Sequence, residues 1–225
     1  MAEQLKKLYS KEFIEKLANK LFLIFSHFQK ENFINSIFVT TWEHLELKQR
    51  MRHIALTLNE YLPFSYEEQL KILKEIKKDF GGLEAMIFQD FVEVFGLDDF
   101  EESMKALEVF TINSSSEFAI RQFILKYEEQ TMEQMKIWSQ SLNEHIRRLA
   151  SEGCRPRLPW AVALPLFKQN PAKPLEIIEL LKNDKSLYVQ KSVANNLNDI
   201  SKDNPQLVID FVKQNIGKTK ELDWI

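Results

Sequence analysis

The sequence predicts an all-α protein, and three observations carry that expectation. Only five glycines occur in 225 residues, fewer than a β-sandwich or a Gly-rich phosphate-binding α/β enzyme needs for its turns. Apolar residues recur three and four positions apart in stretch after stretch. No segment alternates apolar and polar residues as a half-buried strand does.

The elements follow in order. Residues 10–30 place Phe13, Leu17, Leu21, Ile24, Phe25 and Phe28 at helical spacing. Helix continues through 31–62 and stops at Pro63. The run EEQLKILKEIKKDF is a further amphipathic helix closed by Gly81-Gly82, and shorter helical units fill 84–130, with breaks near Gly96 and Thr111. In the second half, Ser114-x-x-Glu117, Thr131-x-x-Gln134 and Ser141-x-x-Glu144 fit the capping box. Pro174 and Pro205 suit first helical turns, the latter behind Asn204 as cap.

Three helix openings, SEFAIRQF (116–123), NEHIRRLA (143–150) and SLYVQKSV (186–193), put Arg121, Arg148 and Lys191 at matching places. Paired helices at such intervals suggest a HEAT-like solenoid whose inner helices line one surface; a plain helical bundle is the alternative.

Hydrophobic residues make up 44% and charged residues 28%, ordinary globular usage. A single cysteine, Cys154, excludes an intramolecular disulfide framework and a multi-cysteine zinc site. The four histidines show no metal-ligand spacing, and there is no GxSxG, Walker loop or GxGxxG. The start lacks a basic region followed by an apolar core, and no apolar run approaches a bilayer span, so a cytoplasmic protein is expected.

Net charge is −3 but unevenly spread. Residues 111–225 hold 16 Lys and Arg against 14 Asp and Glu, while residues 1–110 hold 14 against 19. Five of seven arginines (Arg121, Arg147, Arg148, Arg155, Arg157) fall within 121–157, and guanidinium is the group suited to gripping phosphate with a planar fork. Solvated helix faces with i,i+4 pairs would read the same way.

The segment SLNEHIRRLASEGCRPRLPWAVALP (141–165) is the richest in polar chemistry. His145, Arg148 and Glu152 share one helix face, Gly153 is a candidate C′ residue, and a turn with Arg155, Arg157 and Trp160 follows. The plain alternative is an Arg148–Glu152 surface pair with Trp160 in the core. A second polar stripe, Ser192, Asn195, Asn196 and Asp199, follows Tyr188; it signals a partner or ligand if buried and nothing if exposed. A capping role already accounts for Glu117.

NEHIRRLASEGCRPRLPWAVALP followed by YVQKSVANNLNDISKDNP resembles the AlkC-type DNA alkylation repair glycosylases, and WEHLELKQRMRHI and LYSKEFIEKLA look like that family's N-terminal half. The similarity spans nearly the whole chain. It implies one all-helical domain over 1–225, a superhelical solenoid of HEAT-like repeats with a helical N-terminal cap. Residues 1–100 form that N-terminal part, and 101–225 form the repeats carrying the DNA groove. It implies hydrolysis of the N-glycosidic bond of cationic alkylated bases such as 3-methyladenine, with no cofactor and no pocket enclosing the base, unlike most glycosylases. Glu152, Asp199 and Glu117 match acidic catalytic positions, and Trp160 and Arg148 match residues facing the lesion and its backbone. Arg147, Arg121, Arg155, Arg157 and Lys191 complete the expected DNA-binding set. The partner is double-stranded DNA carrying alkylated bases, bound by a monomer without membrane contact. The family continues past a Trp-Ile pair into a helix rich in His and Arg, whereas this chain stops at Asp223-Trp224-Ile225, so the last repeat is expected to be incomplete. Two rival uses of the fold remain: non-catalytic binding of damaged or branched DNA, and a protein-interaction scaffold.

Overall fold

The computed structural model describes residues 5–225, and every regular element among them is helical. By contact the chain divides into two compact units, the first ending at Ser115 and the second running from Ser116 to Ile225.

In the first unit, α1 (Lys11–Ile24) opens on Ser10, whose hydroxyl accepts the Phe13 N–H at 3.3 Å. The helical run expected over 10–30 breaks where Phe25 turns extended, and resumes as α2 (Lys30–Ile37). A 3-10 turn (Trp42–His44) leads into α3 (Leu47–Tyr61), which ends two residues before Pro63 as expected. The capping boxes that form here are Glu46 with Gln49, opening α3, and Ser65 with Glu68, opening α4 (Tyr66–Lys77). Gly82 adopts φ +66, a conformation that favours glycine, and its N–H reaches Asn113 O at 2.7 Å.

Helices α5 (Met86–Phe95) and α6 (Phe100–Thr111) complete the unit, with α3 packed on α5 and α6 packed on α5 and α4. The first unit ends just beyond α6, at Ser115. Each side chain such as Leu17, Leu58 or Phe91, at 0% exposure, contributes roughly 1.5–3 kcal/mol through burial. Arg52 of α3 grips Asp90 of α5 with two bonds (2.7 and 3.0 Å) and reaches Glu93 at 2.7 Å.

The second unit comprises α7 (Ile120–Lys126), α8 (Glu128–Ser139), α9 (Glu144–Gly153), α10 (Pro165–Gln169), α11 (Ala172–Leu181), α12 (Leu187–Ser201), α13 (Pro205–Asn215) and α14 (Lys220–Trp224). Helix α9 packs against α8, α11 and α12, and Leu149 and Ala150 of α9 and Val189, Val193 and Ile200 of α12 are all buried.

The three capping boxes read in this half do not form. Thr131 lies inside α8, Asn143 rather than Ser141 caps α9 by accepting the His145 N–H at 2.9 Å, and α7 starts only at Ile120. Short S/T-x-x-E patterns recur by chance within helices, and tertiary packing chooses among them. Pro205 does occupy the first turn of α13, but the Asn204 amide donates to Lys168 O at 2.7 Å instead of capping. Among the described residues no helix is long and apolar enough to cross a membrane.

Candidate active site

The site grows from two helix faces. On α9, positions 145, 148 and 152 lie three and four residues apart, so His145, Arg148 and Glu152 align. On α12 the same rule aligns Tyr188, Ser192 and Asp199. Because α9 and α12 pack together, the buried part of each stripe faces the other helix, and the polar stripe of α12 is thus partnered. Ser192 donates to Glu152 Oε2 at 2.7 Å, and the Asn196 amide donates to Ser151 O at 2.8 Å and to Cys154 Sγ at 3.4 Å. Asn195, one position away, is exposed and stays outside.

Charge is organised as an alternating chain. Arg148 bonds Glu117 through Nη1 and lies 3.4 Å from Glu152 through Nη2. Arg155, in the loop after α9, donates from Nη1 to Glu152 Oε1 at 2.6 Å and from Nε to Asp199 Oδ2 at 2.8 Å. Lys202 closes the row at 3.1 Å from Asp199 Oδ1. Three carboxylates thus interleave with three cations, which is how buried charge becomes tolerable. Glu152 and Asp199 are only 4% and 2% exposed, whereas the Lys202 side chain is half exposed.

Burial alone would lower the Arg148 guanidinium, but Glu117 and Glu152 outweigh it and hold it above the usual arginine range. Arg155 behaves alike, with burial opposed by Glu152 and Asp199. Tyr188 lays its ring 5.0 Å from the Arg148 guanidinium carbon and meets the His145 ring edge-on at 5.5 Å. Among the described residues no group of three or more His, Cys, Asp or Glu is placed to hold a metal ion.

The expected acids Glu117, Glu152 and Asp199 are therefore brought together with Arg148 and Arg155. Glu117 sits in the turn before α7, and its carboxylate meets Arg148. Trp160 is no core residue. It is 63% exposed and takes φ +63, a left-handed backbone that residues other than Gly, Asn or Asp rarely adopt. Lys191 is exposed on α12.

Three arginines of the expected DNA-binding set have partners within the protein. Arg121 is wholly buried and donates to the carbonyls of Gly153, Arg155 and Val162. Arg147 makes a two-pronged bond to Asp184 (2.6 and 3.0 Å) and donates to Ser141 O and Leu142 O. Arg157 forks onto Asp203 (3.1 and 2.6 Å) while staying partly exposed. Arg121, Arg148 and Lys191, matched in sequence, thus occupy three different environments. Sequence spacing counts positions along a helix but not which face a neighbour covers.

Gly153 is helical, not a left-handed C′ residue; it is required because a Cβ there would lie 2.7 Å from Ile120 Cγ2 and 2.9 Å from Met135 Cε. For Lys202 the sequence carries one signal, its place three residues after Asp199.

The fold and site together define an all-helical protein whose candidate centre is a row of acids held by cations between two packed helices. The chain belongs to the DNA alkylation repair enzyme family, whose model matches residues 108–223, over half of its length. It is 46% identical over 221 residues to the uncharacterized protein YhaZ of Bacillus subtilis (strain 168), covering 98% of this chain and 62% of that protein. It is also similar to the alkylpurine DNA glycosylase AlkC of Pseudomonas fluorescens, solved bound to DNA containing an abasic site analog. That likeness has a TM-score of 0.94 at 36% identity, over 98% of this chain and 62% of that one. The chain thus spans less than two thirds of each of these relatives.

Proposed function

We propose that the chain is a DNA glycosylase that hydrolyses the N-glycosidic bond of cationic alkylated bases such as 3-methyladenine. The observation that carries the reading is the convergence of Glu152 and Asp199, from separate helices, on the single guanidinium of Arg155. The 36% identity to an alkylpurine glycosylase over nearly all of this chain supports it.

An N-alkylated purine already carries positive charge and leaves without a general acid. Bond cleavage then builds oxocarbenium character on the sugar. Carboxylates held near that carbon stabilise the charge, and one of Glu117, Glu152 and Asp199 takes the proton of the attacking water. Water as nucleophile makes the enzyme monofunctional and leaves an abasic site. The chain's DNA-facing groups are Trp160, Arg148 and Lys191, with Arg157 available once DNA phosphate competes for it. The partner is double-stranded DNA with alkylated bases, bound by a monomer.

A base-release assay on methylated DNA, with chromatography of the liberated bases, tests this. The protein is expected to release 3-methyladenine, and Glu152→Gln and Asp199→Asn are each expected to abolish release while helical circular dichroism persists. Unchanged release by both variants removes these acids from the mechanism.

One observation favours a second reading, non-catalytic binding of damaged or branched DNA: every oxygen of Glu152 and Asp199 is already bonded. That reading expects salt-sensitive DNA binding with no base release.

A further inference from the structure

Arg121 lies at 0% exposure, and its hydrogen bonds all go to backbone carbonyls. Nη1 donates to Gly153 O at 3.0 Å and Arg155 O at 2.7 Å, and Nε donates to Val162 O at 2.6 Å. Those three carbonyls bracket the loop between α9 and α10. One belongs to the last residue of α9, one to the first residues of the loop and one to its far end. Within the loop, Leu164 N–H donates to Pro156 O at 3.1 Å and Ala161 N–H to Leu158 O at 3.3 Å.

Between the points that Arg121 holds, the loop carries two groups of the candidate site. Arg155 binds both Glu152 and Asp199, and Trp160 stands 63% exposed with a left-handed backbone at φ +63. A non-glycine residue held in that region persists only where surrounding structure enforces it. Burying a guanidinium on neutral carbonyls is costly. Here burial pulls the group down to about 10, and its Nη2 is left buried with no bonded partner among the described residues. An apolar side chain would fill the space at lower cost but could not hold three carbonyls on one planar fork.

We infer that Arg121 is a positioning residue, whose guanidinium sets the 154–164 loop so that Arg155 meets Glu152 and Asp199 and Trp160 is held at the surface. The inference rests on the glycosylase reading for its effect on catalysis, but its structural half stands apart from that reading.

Arg121→Lys keeps the charge but replaces the fork with one ammonium. Measured well below the unfolding temperature of each protein, it is expected to lower the kcat of base release by about 10–100-fold, the scale of a misplaced catalytic group. In Arg121→Gln, which removes the charge, DNA affinity is expected to lose no salt dependence, whereas loss of a phosphate contact flattens the slope of log K against log salt by about 0.9. Trypsin is expected to cut the variant after Arg157 faster than the parent, because the loop is released. An unchanged kcat overturns the inference, and so does a flattened salt slope, which would make Arg121 a phosphate ligand. If the parent protein releases no base, the glycosylase reading fails by itself, and the rate of cutting after Arg157 alone decides the inference. If Arg121→Lys does not fold, hydrogen exchange in the parent decides it. The Ala161 and Leu164 amides are expected to exchange as slowly as those of α9, and exchange at the rate of an unstructured chain overturns it.

Discussion

Arg155 donates from Nε to Asp199 Oδ2 across 2.8 Å, and this bond ties the loop after α9 to the last turns of α12. Since the same guanidinium also holds Glu152, removing it leaves two buried carboxylates without their shared counter-ion. Arg155→Met is expected to destabilise the fold by about 3–5 kcal/mol, the usual cost of stranding a buried charge, and to lose base release. Urea denaturation followed by circular dichroism measures the first effect and the methylated-DNA assay the second.

Gly153→Ala tests why a glycine ends α9. The new methyl would lie 2.7 Å from Ile120 Cγ2 and 2.9 Å from Met135 Cε. Met135 can swing its terminal methyl aside, but the branched Ile120 cannot without moving α7. A loss of about 1–3 kcal/mol is expected from overpacking, read as a lower denaturation midpoint. A neutral result would mean that α7 shifts freely.

Trp160→Gly separates strain from contact. Glycine accepts the φ of +63 that Trp160 holds without the Cβ penalty, and an indole 63% exposed has given up little surface to packing. Stability is expected to stay within about 1 kcal/mol of the parent, against the roughly 3–5 kcal/mol lost when a core aromatic is truncated. Base release is expected to fall sharply in the same preparation.

Lys191 and Arg147 give opposite signatures. Lys191→Ala, at an exposed position of α12, is expected to flatten the salt dependence of DNA binding by about 0.9 and to leave stability within about 0.5 kcal/mol. Arg147, bonded to Asp184 and two carbonyls, is expected to reverse that pattern. Arg147→Ala should cost about 1.5–3 kcal/mol of stability and leave the salt slope unchanged. Binding isotherms at several salt concentrations, beside urea melts, distinguish the two.

Cys154 gives a pH dependence. Burial pushes its thiol up to about 12 from an ordinary value near 9. In the unfolded chain the thiol loses its proton first, so the folded state gains nothing from Cys154 at high pH. Its contribution is complete below pH 9 and is lost as pH rises toward 12. Stability is expected to fall across that window more steeply in the parent than in Cys154→Ala, and iodoacetamide is expected to label the thiol only on unfolding. Rapid labelling of the native protein at pH 8 would contradict both expectations.

What the sequence determined by itself is local. Apolar spacing and scarce glycine specify helices, because each helix must bury one face and a strand pattern is absent. The placement of His145, Arg148 and Glu152 on one face follows from 3.6 residues per turn. The resemblance carried by residues 143–165 and 188–205 pointed to Glu152 and Asp199, and a shorter local match pointed to Glu117. Tertiary structure decided what each polar group meets. Arg121, Arg147 and Arg148 all read as candidate phosphate grips, yet one staples a loop, one locks onto Asp184 and one joins the acids. The same holds for Gly153, set by the crowding of Ile120, and for Glu117, which a capping pattern had seemed to explain. A side chain's partner is fixed by which helix covers its face, and that is settled by packing between segments tens of residues apart, which spacing along one helix does not encode.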